Sequence, residues 1–94
     1  MNVVWLAGAV DDLNEIVGFI AARNPGAAAK VAAALHDVAA HLESHPRMGR
    51  RGRLRGTREL VVARLPFIIV YRIQHDRVEV LRVIHGRRDW HATF

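Results

Sequence analysis

Five side chains in the second half of this chain are of types that could do acid–base work on a phosphodiester: His85, Arg82, Arg58, Arg64 and Glu59. Cleaving RNA without a metal needs one group to activate the 2′-hydroxyl, one to neutralise charge on the phosphorane and one to protonate the leaving oxygen. An imidazole, guanidinium groups and a carboxylate could divide those roles if the fold brought them together. The remaining histidines offer less. His41 and His45, four residues apart, could share a helix face with His36 nearby, but no third ligand is placed beside them, so no metal site is expected. His75 falls in a turn and His91 in the tail. Tyr71, the only tyrosine, lies within the apolar run Phe67-Ile68-Ile69-Val70-Tyr71 and reads as a core residue with its hydroxyl satisfied. The chain has no cysteine, which removes disulfides, thiolate zinc sites and cysteine nucleophiles together. Asp11, Asp12 and Glu15 could suggest metal or acid–base work, but they fall in the first turns of a predicted helix, where the helix dipole favours negative charge. No cofactor is called for.

Charge is distributed as unevenly as the chemistry. Residues 1–45 carry Arg23 and Lys30 against Asp11, Asp12, Glu15, Asp37 and Glu43, a balance of −3, while residues 46–94 balance at +8, together giving the net +5. Thirteen of the fourteen basic residues are arginine. Arginine presents a planar fork of donors matched to carboxylate and phosphate, so the second half is expected to meet an anionic partner, a nucleic acid or an acidic protein. A gene of high G+C content would produce the same bias, and a loop rich in arginine is also what a solvated surface looks like.

These residues need elements to hold them. Val3-Val4-Trp5-Leu6 reads as an opening strand. Val10, Leu13, Val17 and Ile20 then recur at helical spacing, and Asn24-Pro25-Gly26 ends that helix. A second helix is expected from about Ala27 to Ser44, with Val31, Leu35, Val38 and Leu42 as its stripe. Between Pro46 and Arg58, six arginines alternate with Gly49, Gly52 and Gly56, and only Met48 and Leu54 could anchor what reads as a mobile basic loop. Three strands are expected at Glu59–Arg64, Phe67–Ile73 and Val78–Ile84, joined by connections short enough only for antiparallel hairpins. The reading is one domain over residues 1–94 in the α+β class, β-α-α-β-β-β, with a helix hairpin packed on a small antiparallel sheet. Arg58, Arg64, Arg72 and Arg82 would lie on the strands, several projecting from the face or edge that the helices leave open. No apolar run approaches the ~20 residues that span a bilayer. Met1-Asn2-Val3-Val4-Trp5 shows no export signal, so a cytoplasmic protein with no membrane partner is expected.

An ordered set of short motifs is recognisable on this frame: Asn24-Pro25-Gly26-Ala27-Ala28, Leu42 with Pro46, Gly49-Arg50, Gly56-Thr57-Arg58-Glu59-Leu60, Ile69-Val70-Tyr71-Arg72-Ile73, and Val80-Leu81-Arg82-Val83-Ile84-His85-Gly86-Arg87-Arg88-Asp89. Together they resemble the ParE branch of the RelE/ParE toxin superfamily over nearly the whole chain. The resemblance implies the toxin of a type II toxin–antitoxin pair. An acidic or amphipathic C-terminal segment of the cognate antitoxin would wrap it, and the complex would bind operator DNA through the antitoxin.

Two activities divide that superfamily. RelE-like members are ribosome-dependent endoribonucleases, and ParE-like members are described as inhibitors of DNA gyrase. Nuclease members place a histidine or tyrosine near the position of His85 and a basic residue on the middle strand. Here Gly86 follows His85 and the middle strand Pro66–Tyr71 is apolar, so the ParE-like, non-enzymatic reading is preferred. A nuclease built on His85, Arg82 and Arg58 is the alternative. On the preferred reading, Arg50, Arg51, Arg53, Arg55, Arg58, Arg87, Arg88 and Trp90 are the candidates for target contact. Trp90 could instead plug the core. Arg64, Arg72 and Arg82, with the last strand and the groove beside the helix pair, are the candidates for antitoxin contact.

Overall fold

The computed structural model describes residues 1–86. Its elements are β1 (Asn2–Trp5), α1 (Ala7–Ala21), α2 (Pro25–His41), β2 (Arg50–Arg51), β3 (Arg58–Val61), β4 (Phe67–Gln74) and β5 (Arg77–His85). The strands form one sheet in the order β1-β5-β4-β3-β2. Every neighbour pair is antiparallel except β1 with β5, which run parallel from Asn2 beside Arg77 to Trp5 beside Val80. Two helices on a mostly antiparallel five-stranded sheet is the expected α+β architecture, with two amendments. The opening strand joins the sheet parallel, and the basic loop contributes β2, a two-residue strand held to β3.

Local chemistry explains the boundaries. Asn24 does more than end α1: its side-chain oxygen accepts from the Ala27 amide at 3.0 Å, capping α2, and Pro25 fills the first helical position, where no amide is needed. The helix therefore begins two residues earlier than its apolar stripe suggests. In α1 the residues packed on the core are Ala9, Leu13 and Ile16, whereas Val10 is 40% exposed. A stripe drawn through Val10 is rotated by one position because the small Ala9, fully buried, lets the helix sit close to the sheet.

The sheet is covered on both faces. Phe67, Ile69 and Tyr71 of β4 pack with Val78, Val80 and Val83 of β5 against Leu35, Ala39 and Leu42, forming the main core beneath the helices. Ile68, Val70 and Ile84 form a smaller cluster with Leu54, which reaches in from the basic loop. That second layer is why β4 is apolar without alternation. Among the described residues, no helix is long and apolar enough to cross a membrane.

Candidate functional site

The strand arginines are held by the chain itself. Arg82 donates through Nε and Nη2 to the two carboxylate oxygens of Asp12 at 2.6 and 2.9 Å, and the Val83 amide donates to the same carboxylate at 3.0 Å. The acidic residues of α1 are therefore not a helix-terminus device, since none lies in its first turn. Asp12 projects onto the exposed edge of β5, where β1 has ended, and ties helix to strand. Asp12 holds Arg82 firmly protonated, chiefly through the hydrogen bond. Arg82 is therefore not one of the strand arginines that project from the face or edge the helices leave open.

Arg72 and Arg77 donate through Nε to Glu79 at 2.7 and 2.8 Å. Glu79 is 2% exposed, and these two hydrogen bonds hold its carboxyl below the usual carboxylate range. Arg50 reaches Glu59, also buried, which in addition accepts from the Arg53 amide at 3.0 Å. Arg58 donates to the carbonyls of Arg47 and Gly49 at 3.3 and 2.8 Å. Arg64 is not on a strand. Strand β3 stops at Val61, and Arg64 lies exposed in the turn that follows, at φ 66°.

Tyr71 lies fully buried, as its apolar surroundings require, and its hydroxyl is saturated. It donates to the Pro46 carbonyl and accepts from the Gly49 amide, each at 2.8 Å. Burial pushes its phenol above the ordinary value, so it stays neutral and is ill suited to act as a general base near neutrality. A side chain at Gly49 would meet the Tyr71 ring at 2.7 Å, which explains the glycine.

Two concavities are formed by the described residues around these side chains. The first is a groove of about 460 Å³ between α1, the β3–β4 turn and the end of β5, walled by Ile16, Phe19, Ile20, Pro66, Phe67 and Ile84, with Asp12, Glu15, Arg82 and His85 at its polar margin. Phe19 is 64% exposed there, and His85 stands edge-on to Phe67 at 5.8 Å between ring centroids. The second is a basic hollow of about 450 Å³ in the loop, lined by Arg47, Arg51, Arg55 and Arg58 with Leu54, Thr57 and Ile73. His85 and Arg82 thus share the groove while Arg58 lines the hollow. The three residues of the nuclease alternative are not brought together. Among the described residues no group of three histidine, aspartate or glutamate side chains is placed to hold a metal. Arg87, Arg88 and Trp90 lie outside the described residues.

A family model for the ParE toxin of type II toxin–antitoxin systems, parDE, matches residues 3–90. The chain belongs to the ParE toxin family. It is 43% identical over 89 residues to the protein named "Putative toxin Y4kP" of Sinorhizobium fredii (strain NBRC 101917 / NGR234), covering 95% of this chain and 92% of that one. A chain of the chromosomal ParDE system from P. aeruginosa superposes with a TM-score of 0.83 at 24% identity, covering 90% of this chain and 95% of the other. A chain of the RelBE2 toxin–antitoxin complex from Mycobacterium tuberculosis gives 0.64 at 28% identity, covering 89% and 95%. This ParE-family toxin therefore shares its α+β fold with members of both ParDE and RelBE systems.

Three participants are not apparent in the sequence: Asp12 as the arginine partner, Glu79 as the anchor of two arginines, and Phe19 as the exposed apolar wall of the groove. Phe19 carried the one available signal, a large aromatic off the helix stripe. The Asp12–Arg82 and Arg–Glu79 pairs follow only from how the elements fold together.

Proposed function

We propose that this ParE-family toxin acts in the cytoplasm as an inhibitor of DNA gyrase that works by docking, without an active site, and that a cognate antitoxin neutralises it. The observation that carries the reading is that the two arginines of the nuclease alternative are engaged by the chain itself and line different concavities. Arg82 is bound bidentately by Asp12 in the groove, and Arg58 braces two loop carbonyls at the hollow. A ribonuclease would need such groups aimed at a substrate phosphate. The basic loop 47–58 instead offers a preformed surface for the target.

The groove along α1 suits an antitoxin segment. Its apolar floor and the exposed Phe19 fit the buried face of an amphipathic stretch. The test is a supercoiling assay with purified gyrase and the full chain. Loss of supercoiling, restored by the antitoxin, is expected; full supercoiling at toxin excess refutes the proposal. In parallel, His85→Ala is expected to leave growth arrest intact with translated messages uncut. Codon-defined cuts that His85→Ala abolishes would establish the ribonuclease instead.

A further inference from the structure

Two groups of arginines among the described residues contrast with each other. Arg50, Arg72, Arg77 and Arg82 each pair with a carboxylate, those of Glu59, Glu79, Glu79 and Asp12. Around the basic hollow the pattern reverses. Arg47, Arg51, Arg55 and Arg58 converge with no carboxylate in the lining, and among the described residues none of the four forms an ion pair. Four cations around one concavity repel each other, a cost the sheet avoids elsewhere by placing a carboxylate at each arginine.

The hollow is also built rather than loose. Leu54 anchors the loop in the second apolar cluster, and β2 is paired with β3. The Gly52 amide donates to the Thr57 carbonyl at 2.8 Å, and the Thr57 hydroxyl to the Leu54 carbonyl at 2.6 Å. Arg58 is fixed by the carbonyls of Arg47 and Gly49, and the Gly49 amide is clasped by Tyr71. Any side chain at Gly52 would collide with the Thr57 hydroxyl.

We propose that this hollow is a phosphate-binding site for the backbone of duplex DNA. Guanidinium forks match phosphate oxygens, and several on one preformed surface can engage successive phosphates. Duplex is favoured over single strands because, among the described residues, the lining holds no aromatic ring, the platform on which proteins stack unpaired bases. Contacts of this kind position the protein on the duplex and carry no sequence information, so binding there is independent of sequence. The inference rests on the proposed function only in taking this loop as the target-facing surface. It makes the target a protein–DNA complex whose DNA the toxin touches directly.

The test is fluorescence anisotropy of a labelled DNA duplex with the purified full chain, titrated with potassium chloride and without gyrase. Phosphate contacts from Arg47, Arg51 and Arg55, with Arg58 held by the loop carbonyls as a brace, predict a log–log salt slope of about −3. The double variant Arg51→Gln/Arg55→Gln, at two exposed side chains, should make the slope shallower by about 2. Arg23→Gln, at an exposed arginine stacked on Phe19 away from the hollow, should leave it unchanged. Absence of binding at low salt, an unchanged slope in the double variant, an equal loss in Arg23→Gln, or tighter binding to the unpaired strand each overturns the proposal. So does a double variant that loses binding to a polyglutamate peptide but keeps the duplex. Because gyrase is absent here, failure of the DNA site and failure of gyrase inhibition are read separately.

Discussion

Asp12 does for this toxin what a longer strand β1 would otherwise do. Its carboxylate satisfies the Val83 amide on the strand edge and fixes Arg82 at the rim of the groove. Removing it takes two hydrogen bonds from a partly buried guanidinium and one from the Val83 amide, so Asp12→Ala should cost about 2 kcal/mol, read by urea denaturation. Arg82→Ala in the same background should add little, because the two act as one unit. Glu79 gives a residue-scale prediction in pH. Its folded carboxyl titrates below the ordinary 4.5, so the stability it contributes is complete above that value and is lost as pH falls through the folded one. The acid limb of the stability curve should therefore be shallower in Glu79→Gln than in the wild type. An identical limb in both proteins would mean that the arginine clasp on Glu79 persists in the unfolded chain.

At the scale of elements, the β4–β5 hairpin carries a visible penalty. It turns through His75 and Asp76, both with φ 56°, where two-residue hairpins favour Asn-Gly. Asp76→Gly should raise the unfolding free energy by about 0.5 kcal/mol, read as a higher urea midpoint with an unchanged slope, since glycine adopts this conformation without steric cost. The basic loop has the opposite economy. Tyr71→Phe removes the acceptor of the buried Gly49 amide and the donor to Pro46, and should cost about 1–3 kcal/mol while loosening the loop, visible as faster amide exchange over residues 47–58. How much of this was legible depends on range. Helix and strand identities were readable because Leu35, Leu42 and the β4 run carry strong local patterns. The buried role of Tyr71 was readable from its neighbours. Strand β2 was hidden by its two-residue length, and the parallel pairing of β1 by the seventy-odd residues between partners. The corrections to Arg64 and Arg82 share a cause: strand assignment places an arginine on an element but cannot find the carboxylate or the turn that redirects it.

Over the whole molecule, sheet order keeps the two concavities apart. The groove borders α1 and the end of β5, while the hollow lies at β2 and β3, across β4. One surface is apolar with a mixed-charge rim, the other uniformly cationic. If the groove takes the antitoxin and the hollow the target, toxicity and neutralisation should separate genetically. Phe19→Ser changes an exposed ring in the groove and should spare the fold and growth arrest. It should weaken antitoxin binding by about 2 kcal/mol, roughly thirtyfold, as loss of an aromatic anchor does. Arg51→Gln/Arg55→Gln should do the reverse, weakening growth arrest while the antitoxin still binds. Plating after induction, with and without the antitoxin gene, reads the first property, and titration of purified antitoxin reads the second. If both variants lost both properties, the concavities would have to act as a single surface. The antitoxin would then have to extend around the sheet edge to cover the loop directly, blocking the arginines by occupancy instead of holding the toxin from its opposite side.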